Sequence, residues 1–374
     1  MTAYLDNSAT TKPCEKAVAA VKIACENAWG NPSSLHLYGL ESSRLVESAR
    51  TSVAKKLGCE PKELYFAPSG TAANNTALFG AARANRRYGK KIVCSSIEHP
   101  SVIKCIIALG ESGFETVFLS PDESGVIPVS SLEEAIDENT CLVSLMAVNN
   151  ETGAIQPFDE VKRIIRRKKS HALYHMDAVQ AFCKIPVKSS VADMISVSAH
   201  KVHGIKGAGA LYVSKDVKIK PHILGGGQES GMFSGTHAVP AVAAFGAAVE
   251  EYPGFDETLE RVRSLNTYLR TELIKTDGVF INSPENALPY ILNISVVGVP
   301  SQVSVNALSE RGVFVSAGSA CSKGHRSDTL VSMGLDGKRI DSAIRVSLSR
   351  YTEKEEIDLF LSSLSEVITE VRGE

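Results

Sequence analysis

The sequence predicts an α/β fold: a large, mostly parallel-sheet domain followed by a smaller α+β C-terminal domain. Three observations lead there. Between about residues 64 and 213, apolar β-branched runs alternate with segments of helical period. Those runs have the apolar character of strands covered on both faces. After the glycine tract at Gly225–Gly227 the alternation stops, and long helices with widely spaced strands replace it.

Taken in order, residues 15–28 and 40–57 carry two helical patterns split by the GNPSS turn. Seven candidate strands follow: LYFA, KIVCSSI, TVFLS, CLVSLMAV, ALYHMD, MISVSA and GALYVS. Helical stretches such as TAANNTALFGAARANRR and FDEVKRIIRRKK lie between several of them, the spacing of βαβ units. An alanine-rich helix is expected at about 240–251, an amphipathic helix from residue 256, strands at PYILNISVVG, VFVSAG and AIRVSLS, and a closing helix from about residue 353. The domain reading is residues 15–252 for the large domain and residues 1–14 with 253–374 for the small one.

Composition narrows the setting. The 374 residues are 44% hydrophobic and 22% charged, ordinary for a globular protein with ample core. A formal charge of −2 offers no general attraction to nucleic acid. MTAYLDNSATTK lacks the basic flank and apolar stretch of a signal peptide, and no run suits a membrane span. The eight cysteines form no C-x-x-C pair, so neither a zinc site nor a disulfide framework is expected. These features point to the cytoplasm, with no metal.

The chemistry gathers at strand ends. Asp177 closes ALYHMD and Lys201 follows DMISVSAH, so both emerge at carboxyl ends of strands, where open α/β sheets bind ligands. A lysine amine that condenses with an aldehyde, and a carboxylate that keeps a ring nitrogen protonated, are what pyridoxal 5'-phosphate (PLP) requires of a protein. Gly70 and Thr71 stand where LYFA turns into a helix, and free N–H groups at such a start suit a phosphate. Ser198, His200 and Thr236 are further phosphate donors. His99, after KIVCSSI, is placed to lie on a ring face and move protons. Gln180, one helical step beyond Asp177, and an amide of Asn149-Asn150 after CLVSLMAV are candidate donors to the ring's phenolic oxygen.

Two more signals lie late in the chain. Cys321 sits among small residues in AGSACSKG, a pliable setting unlike the apolar surroundings of most other cysteines. Lys323, His325 and Arg326 nearby favour a thiolate. Arg345, inside AIRVSLS, offers a guanidinium that can hold a carboxylate through two parallel hydrogen bonds; a solvated strand face fits the pattern equally.

These motifs, in this order, resemble the cysteine desulfurases of the NifS/IscS type within the class V aminotransferases. YLDNSATT, GNPSSLH, VNNETGAIQP, HMDAVQ, SAHK, GGGQE, FSGT, SAGSAC and AIRVSLS carry the resemblance over nearly the whole chain. It implies the aspartate-aminotransferase-like fold of type I PLP-dependent transferases, working as a homodimer. It implies Lys201 as the Schiff-base lysine, Asp177 as the pyridinium partner, Gln180 and Asn150 as donors to the phenolic oxygen, and His99 as the stacking imidazole. Gly70, Thr71, Ser198, His200 and Thr236 would bind phosphate, Thr236 from the partner subunit. Asn31 and Arg345 match the residues that hold the substrate carboxylate, and Cys321 the nucleophile that becomes a persulfide.

The implied reaction converts L-cysteine to L-alanine and passes the sulfur to an acceptor protein, an iron–sulfur scaffold or a tRNA-thiolation enzyme. Ser230 and Phe233 stand where relatives usually carry arginines, His203 and Ile205 where tyrosine and proline are common, and Ala72 where a glutamate is frequent. A selenocysteine lyase, another class V enzyme, and a partner protein that kept the fold without catalysis are the alternatives.

Overall fold

The structure, a computed structural model, describes residues 2–318 and 326–373. β1 (Ala3–Tyr4) opens the chain, and α1 (Glu15–Asn27) and α2 (Leu37–Leu57) follow. The His36 side chain caps α2 by accepting from the Gly39 N–H, and left-handed Gly58 ends it.

The large sheet collects β2 (Leu64–Ala67), β3 (Lys91–Ser95), β4 (Glu115–Leu119), β5 (Thr140–Ser144), β6 (Leu173–Asp177), β7 (Met194–Ser198) and β8 (Gly209–Val213). All seven expected strands form. Their spatial order is β2-β8-β7-β6-β5-β3-β4. Only β8 runs against its neighbours; the remaining pairs are parallel. β2, β3, β5, β6 and β7 therefore end on one edge. Helices α3 (Gly70–Asn85), α4 (Pro100–Glu111), α5 (Val129–Ala135) and α6 (Val161–Arg167) lie between the strands in sequence. The strands β3, β5, β7 and β8 are buried along their whole length, and β6 from its second residue on, as their apolar runs require.

Past the sheet come α7 (Val239–Glu251) and α8 (Phe255–Leu273). β9 (Val279–Ile281) and β10 (Ile291–Val296) precede α9 (Ser301–Glu310) and β11 (Val313–Phe314). The short α10 (Asp328–Ser332) and α11 (Gly337–Asp341) lead to β12 (Ala343–Ser347) and the closing α12 (Lys354–Arg372). β12, β10 and β9 form a second, antiparallel sheet.

β1 pairs in parallel with β11, so the two-residue start of the chain lies with its last third. Asn7 Nδ2 then donates to Ser347 O at 2.9 Å and the Ser8 N–H to Ser347 Oγ at 2.8 Å. The segment continues to the large sheet's edge, where the Thr11 N–H donates to His200 O at 2.9 Å. Residues 5–11 are thus a strap from β12 to the end of β7.

Candidate active site

The strand ends place the predicted residues. Asp177 is the last residue of β6, Ser198 the last of β7, and His200 and Lys201 follow in one turn of 3-10 helix. His99 caps α4 just beyond β3, and Gly70 opens α3 just beyond β2. Asn150 lies in the turn after β5.

Asp177 is buried, and among the described residues the two donors that reach it are uncharged: Asn74 Nδ2 at 2.7 Å on Oδ2 and the Val179 N–H at 2.9 Å on Oδ1. Asn74 Nδ2 also donates to Ser101 Oγ at 2.9 Å. Ser101 Oγ stands 2.8 Å from His99 Nδ1, which also accepts from the Ser101 N–H at 3.1 Å. An N–H donor makes Nδ1 an acceptor, so the neutral ring carries its proton on Nε2. Burial pushes the His99 pKa down; the Asp177 charge opposes this and the Lys201 charge adds to it. Asp177 and Lys201 therefore both act on this imidazole.

Lys201 donates to the carbonyl oxygens of Ser8 and, at 2.8 Å, Ala9, so the strap supplies the acceptors for its ammonium. Gln180 donates to the same Ser8 carbonyl at 3.0 Å. His200 Nδ1 lies 3.3 Å from Thr10 Oγ1, and burial, helped by Lys201, pushes its imidazole down to about 4. It is neutral at physiological pH.

The turn into α3 fits a phosphate. Ser69 Oγ caps the Ala72 N–H at 3.1 Å and Ser69 O accepts from the Ala73 N–H at 3.1 Å, which leaves the Gly70 and Thr71 N–H groups at the start of the helix for a ligand. A Cβ on Gly70 would stand 3.0 Å from Val179 Cγ2, and one on Gly209 2.7 Å from the Ser69 backbone carbon. Both glycines let the turn close against β8 and the segment after β6. Beside it Ser198 Oγ is buried with no hydrogen-bond partner among the described residues. A buried carboxylate paired only with neutral donors and an unspent hydroxyl at a helix start match the two ends of PLP. Thr71 is exposed at this turn.

Arg345 is buried in β12. Its Nη1 donates to Asn150 O at 2.9 Å and its Nη2 to Asp6 Oδ1 at 3.1 Å, while Nε has no partner. Burial raises the Asp6 pKa against the pull of Arg345. The guanidinium fork is thus already engaged, by the strap at Asp6 and by the turn after β5 at Asn150, which the sequence did not reveal. Asn31 is exposed, its Oδ1 accepting from the Ser33 N–H at 2.9 Å, and Thr236 is exposed on the loop after the glycine tract. Neither has a described hydrogen bond to the Lys201 cluster within one chain. Cys321, Lys323 and His325 lie outside the described residues. Arg326 is committed to Asp341 through two bonds of 2.7 Å.

The loop bearing Thr236 is anchored by Glu229, which takes a left-handed backbone with φ of 50°. Arg50 holds it through two hydrogen bonds of 2.8 Å, His237 Nε2 lies 2.5 Å away, and the Phe66 N–H donates at 2.7 Å. Burial works to raise this carboxyl's pKa; bonds from Arg50 and His237 and the Arg50 charge outweigh it and hold the value down to about 2. A depressed carboxylate stabilises the fold above its unfolded value of 4.5, and that contribution is lost as pH falls toward 2. It amounts to about 3 kcal/mol. Glu229→Gln is expected to lose about 3 kcal/mol at pH 7 and to flatten the acid side of the stability profile, measured by denaturant unfolding from pH 2 to 7.

Sequence reading missed Asn74, Ser101, Ser8 and Asp6. It also missed His175, which spans β5 to β7 through Ser144 Oγ and Ser196 Oγ, each at 3.0 Å. Burial pushes that imidazole down to about 4, so it is a neutral rung inside the sheet. The available signal was its place two residues before Asp177, on the same strand face.

The class-V aminotransferase family model matches residues 3–360. A mitochondrial cysteine desulfurase of Saccharomyces cerevisiae is 36% identical, over 99% of this chain and 75% of its own. A solved NifS-like protein superposes with a TM-score of 0.92 at 36% identity, covering 99% of this chain and all of its own. A structure of SspA in complex with cysteine gives a TM-score of 0.83 at 31% identity, over 94% of this chain and 100% of that one.

Proposed function

The chain belongs to the class-V aminotransferase family, among the cysteine desulfurases of the NifS/IscS type, and on that premise we propose that it converts L-cysteine to L-alanine. The sulfur atom is retained on Cys321 as a persulfide: the carbon–sulfur bond of cysteine breaks, a sulfur–sulfur bond forms at Cys321, and the carbon left behind takes a proton. PLP, when bound, supplies an aldehyde that captures the amine and a ring that accepts electrons. Lys201 would hold that aldehyde and then move the α-proton. Asp177 would face the ring nitrogen; its pairing, among the described residues, with uncharged donors is the observation that carries the reading. Ser198, His200, Gly70 and Thr71 would hold the phosphate, and Gln180 and Asn150 would turn donors toward the phenolic oxygen.

His99 would lie on the ring and serve the substrate sulfur from Nε2, the nitrogen left for donation once the Ser101 N–H occupies Nδ1. Arg345 and Asn31 would orient the substrate carboxylate, with Asp6 giving up its hold on the guanidinium. Relatives support the substrate: the solved SspA neighbour is a complex with cysteine.

We place the cofactor on residues 15–252 and the cysteine-bearing unit on residues 1–14 with 253–374; pairing of β1 with β11 supports that grouping. A homodimer is supported by the exposed apolar side chains of Trp29, Leu35, Leu37, Tyr38 and Leu224, and it would bring Thr236 to the neighbouring phosphate. The seven described cysteines are all free thiols, which suits a cytoplasmic, reducing setting. Among the described residues no helix is long and apolar enough to cross a membrane. The persulfide would be passed to an iron–sulfur scaffold or tRNA-thiolation enzyme, without direct contact with nucleic acid.

The test is to incubate PLP-loaded protein with L-cysteine, quantify amino-acid products and locate added sulfur by mass spectrometry. L-alanine in step with sulfur released, and one extra sulfur on the Cys321 peptide, are expected. A keto acid in place of alanine overturns the reading.

A further inference from the structure

Lys184 lies beyond β6, one helical turn after Gln180, and is buried. Its Nζ donates to Gln180 Oε1 at 3.3 Å and stands 5.5 Å from the centre of the Tyr290 ring. Among the described residues no carboxylate pairs with it. The charged groups that act on it are Lys201 and Arg345, both cationic, together with the Cys183 thiol; it acts in turn on His200 and His203. Burial first, and Lys201 and Arg345 with it, push its ammonium down to about 7. A buried cation among cations is costly, and a methionine would occupy similar space without that cost.

The gain lies in Gln180. A side-chain amide has a donating and an accepting end, and an apolar neighbour does not choose between them. In its charged form, kept below about pH 7, the Lys184 amine only donates. It therefore fixes Oε1 toward itself and turns Nε2 the other way, where it reaches the Ser8 carbonyl that also accepts from Lys201.

We propose that Lys184 is a positioning residue that acts through Gln180, latching the amide so that its N–H₂ end faces the Lys201 amine and the oxygen substituent of the ring bound there. This rests on the reading that Lys201 carries PLP. Without the latch, Gln180 donates less to the phenolic oxygen, which then holds the proton on the lysine–cofactor link more tightly. The visible absorption of bound cofactor reports that proton.

The experiment titrates this absorption against pH in the PLP-loaded wild type, Lys184→Met, Gln180→Ala and the double variant. Lys184→Met is expected to raise the midpoint by about one pH unit, and Gln180→Ala to raise it likewise. The double variant is expected to match Gln180→Ala alone, since both changes remove one effect. A Lys184→Met midpoint equal to wild type overturns the proposal. So does a double variant shifted by the sum of the two singles, because that is charge acting without Gln180.

Folding is checked in the same samples. The folded value near 7 lies below the unfolded 10.5, so the wild type carries its full penalty below pH 7 and loses it as pH rises to 10.5. Lys184→Met is accordingly expected to unfold at no lower denaturant than wild type at pH 6. Failure of the underlying reading looks different: Lys201→Ala would then keep the wild-type pH-dependent absorption.

Discussion

Lys201→Ala is expected to lower alanine production from cysteine roughly a thousandfold or more, since it removes both the covalent tether and the proton carrier. The second readout separates tether from turnover. Borohydride reduction of the PLP-loaded wild type should leave one pyridoxyl group fixed to the peptide containing Lys201. The variant should release its cofactor on denaturation. Its fold should persist, because the Ser8 and Ala9 carbonyls that the substitution uncovers stand at a partly exposed position that water can reach. Wild-type turnover in Lys201→Ala would remove the basis for the whole assignment.

Cys321→Ser should abolish persulfide and leave cofactor absorption unchanged. The remaining thiols explain why no substitute is expected. Burial pushes Cys59 and Cys183 up to about 12 and Cys105 and Cys141 up to about 11; Cys94 and Cys14 are raised by the same cause. Thiols so placed are poor nucleophiles near neutral pH. Cys25 alone among the seven described cysteines is exposed, on α1, and Cys25→Ser serves as the control with wild-type persulfide yield. Peptide mapping after a brief cysteine pulse reads both variants. Added sulfur persisting in Cys321→Ser would move the nucleophile elsewhere.

The inner strands of the large sheet were legible because burial on both faces leaves one mark, an uninterrupted apolar run, and a turn or helix start follows each. Asp177, Ser198 and His99 could be placed from those runs alone, since a strand's end fixes the edge on which its last residue emerges. What escaped were partners chosen by register. Asn74 meets Asp177 only because α3 packs across β6 at one particular height, and nothing in GTAANNTALFG marks which asparagine faces inward. Asp6 meets Arg345 across almost the full length of the sequence. β1 and β11 are two residues each, too short for any period to appear. Lys184 was hidden for another reason: composition favours a surface place for any lysine, and only packing against Tyr290 reverses it.

The strap from β12 to Lys201 holds two carbonyls ready for the lysine's nitrogen. If that nitrogen carries a cofactor, a substrate that took its place would leave the amine with a berth already arranged. That berth hangs from the last strand of the opposite sheet, so a shift of that sheet would widen or close it. An affinity handle spliced ahead of Ala3 would pull on the same tether.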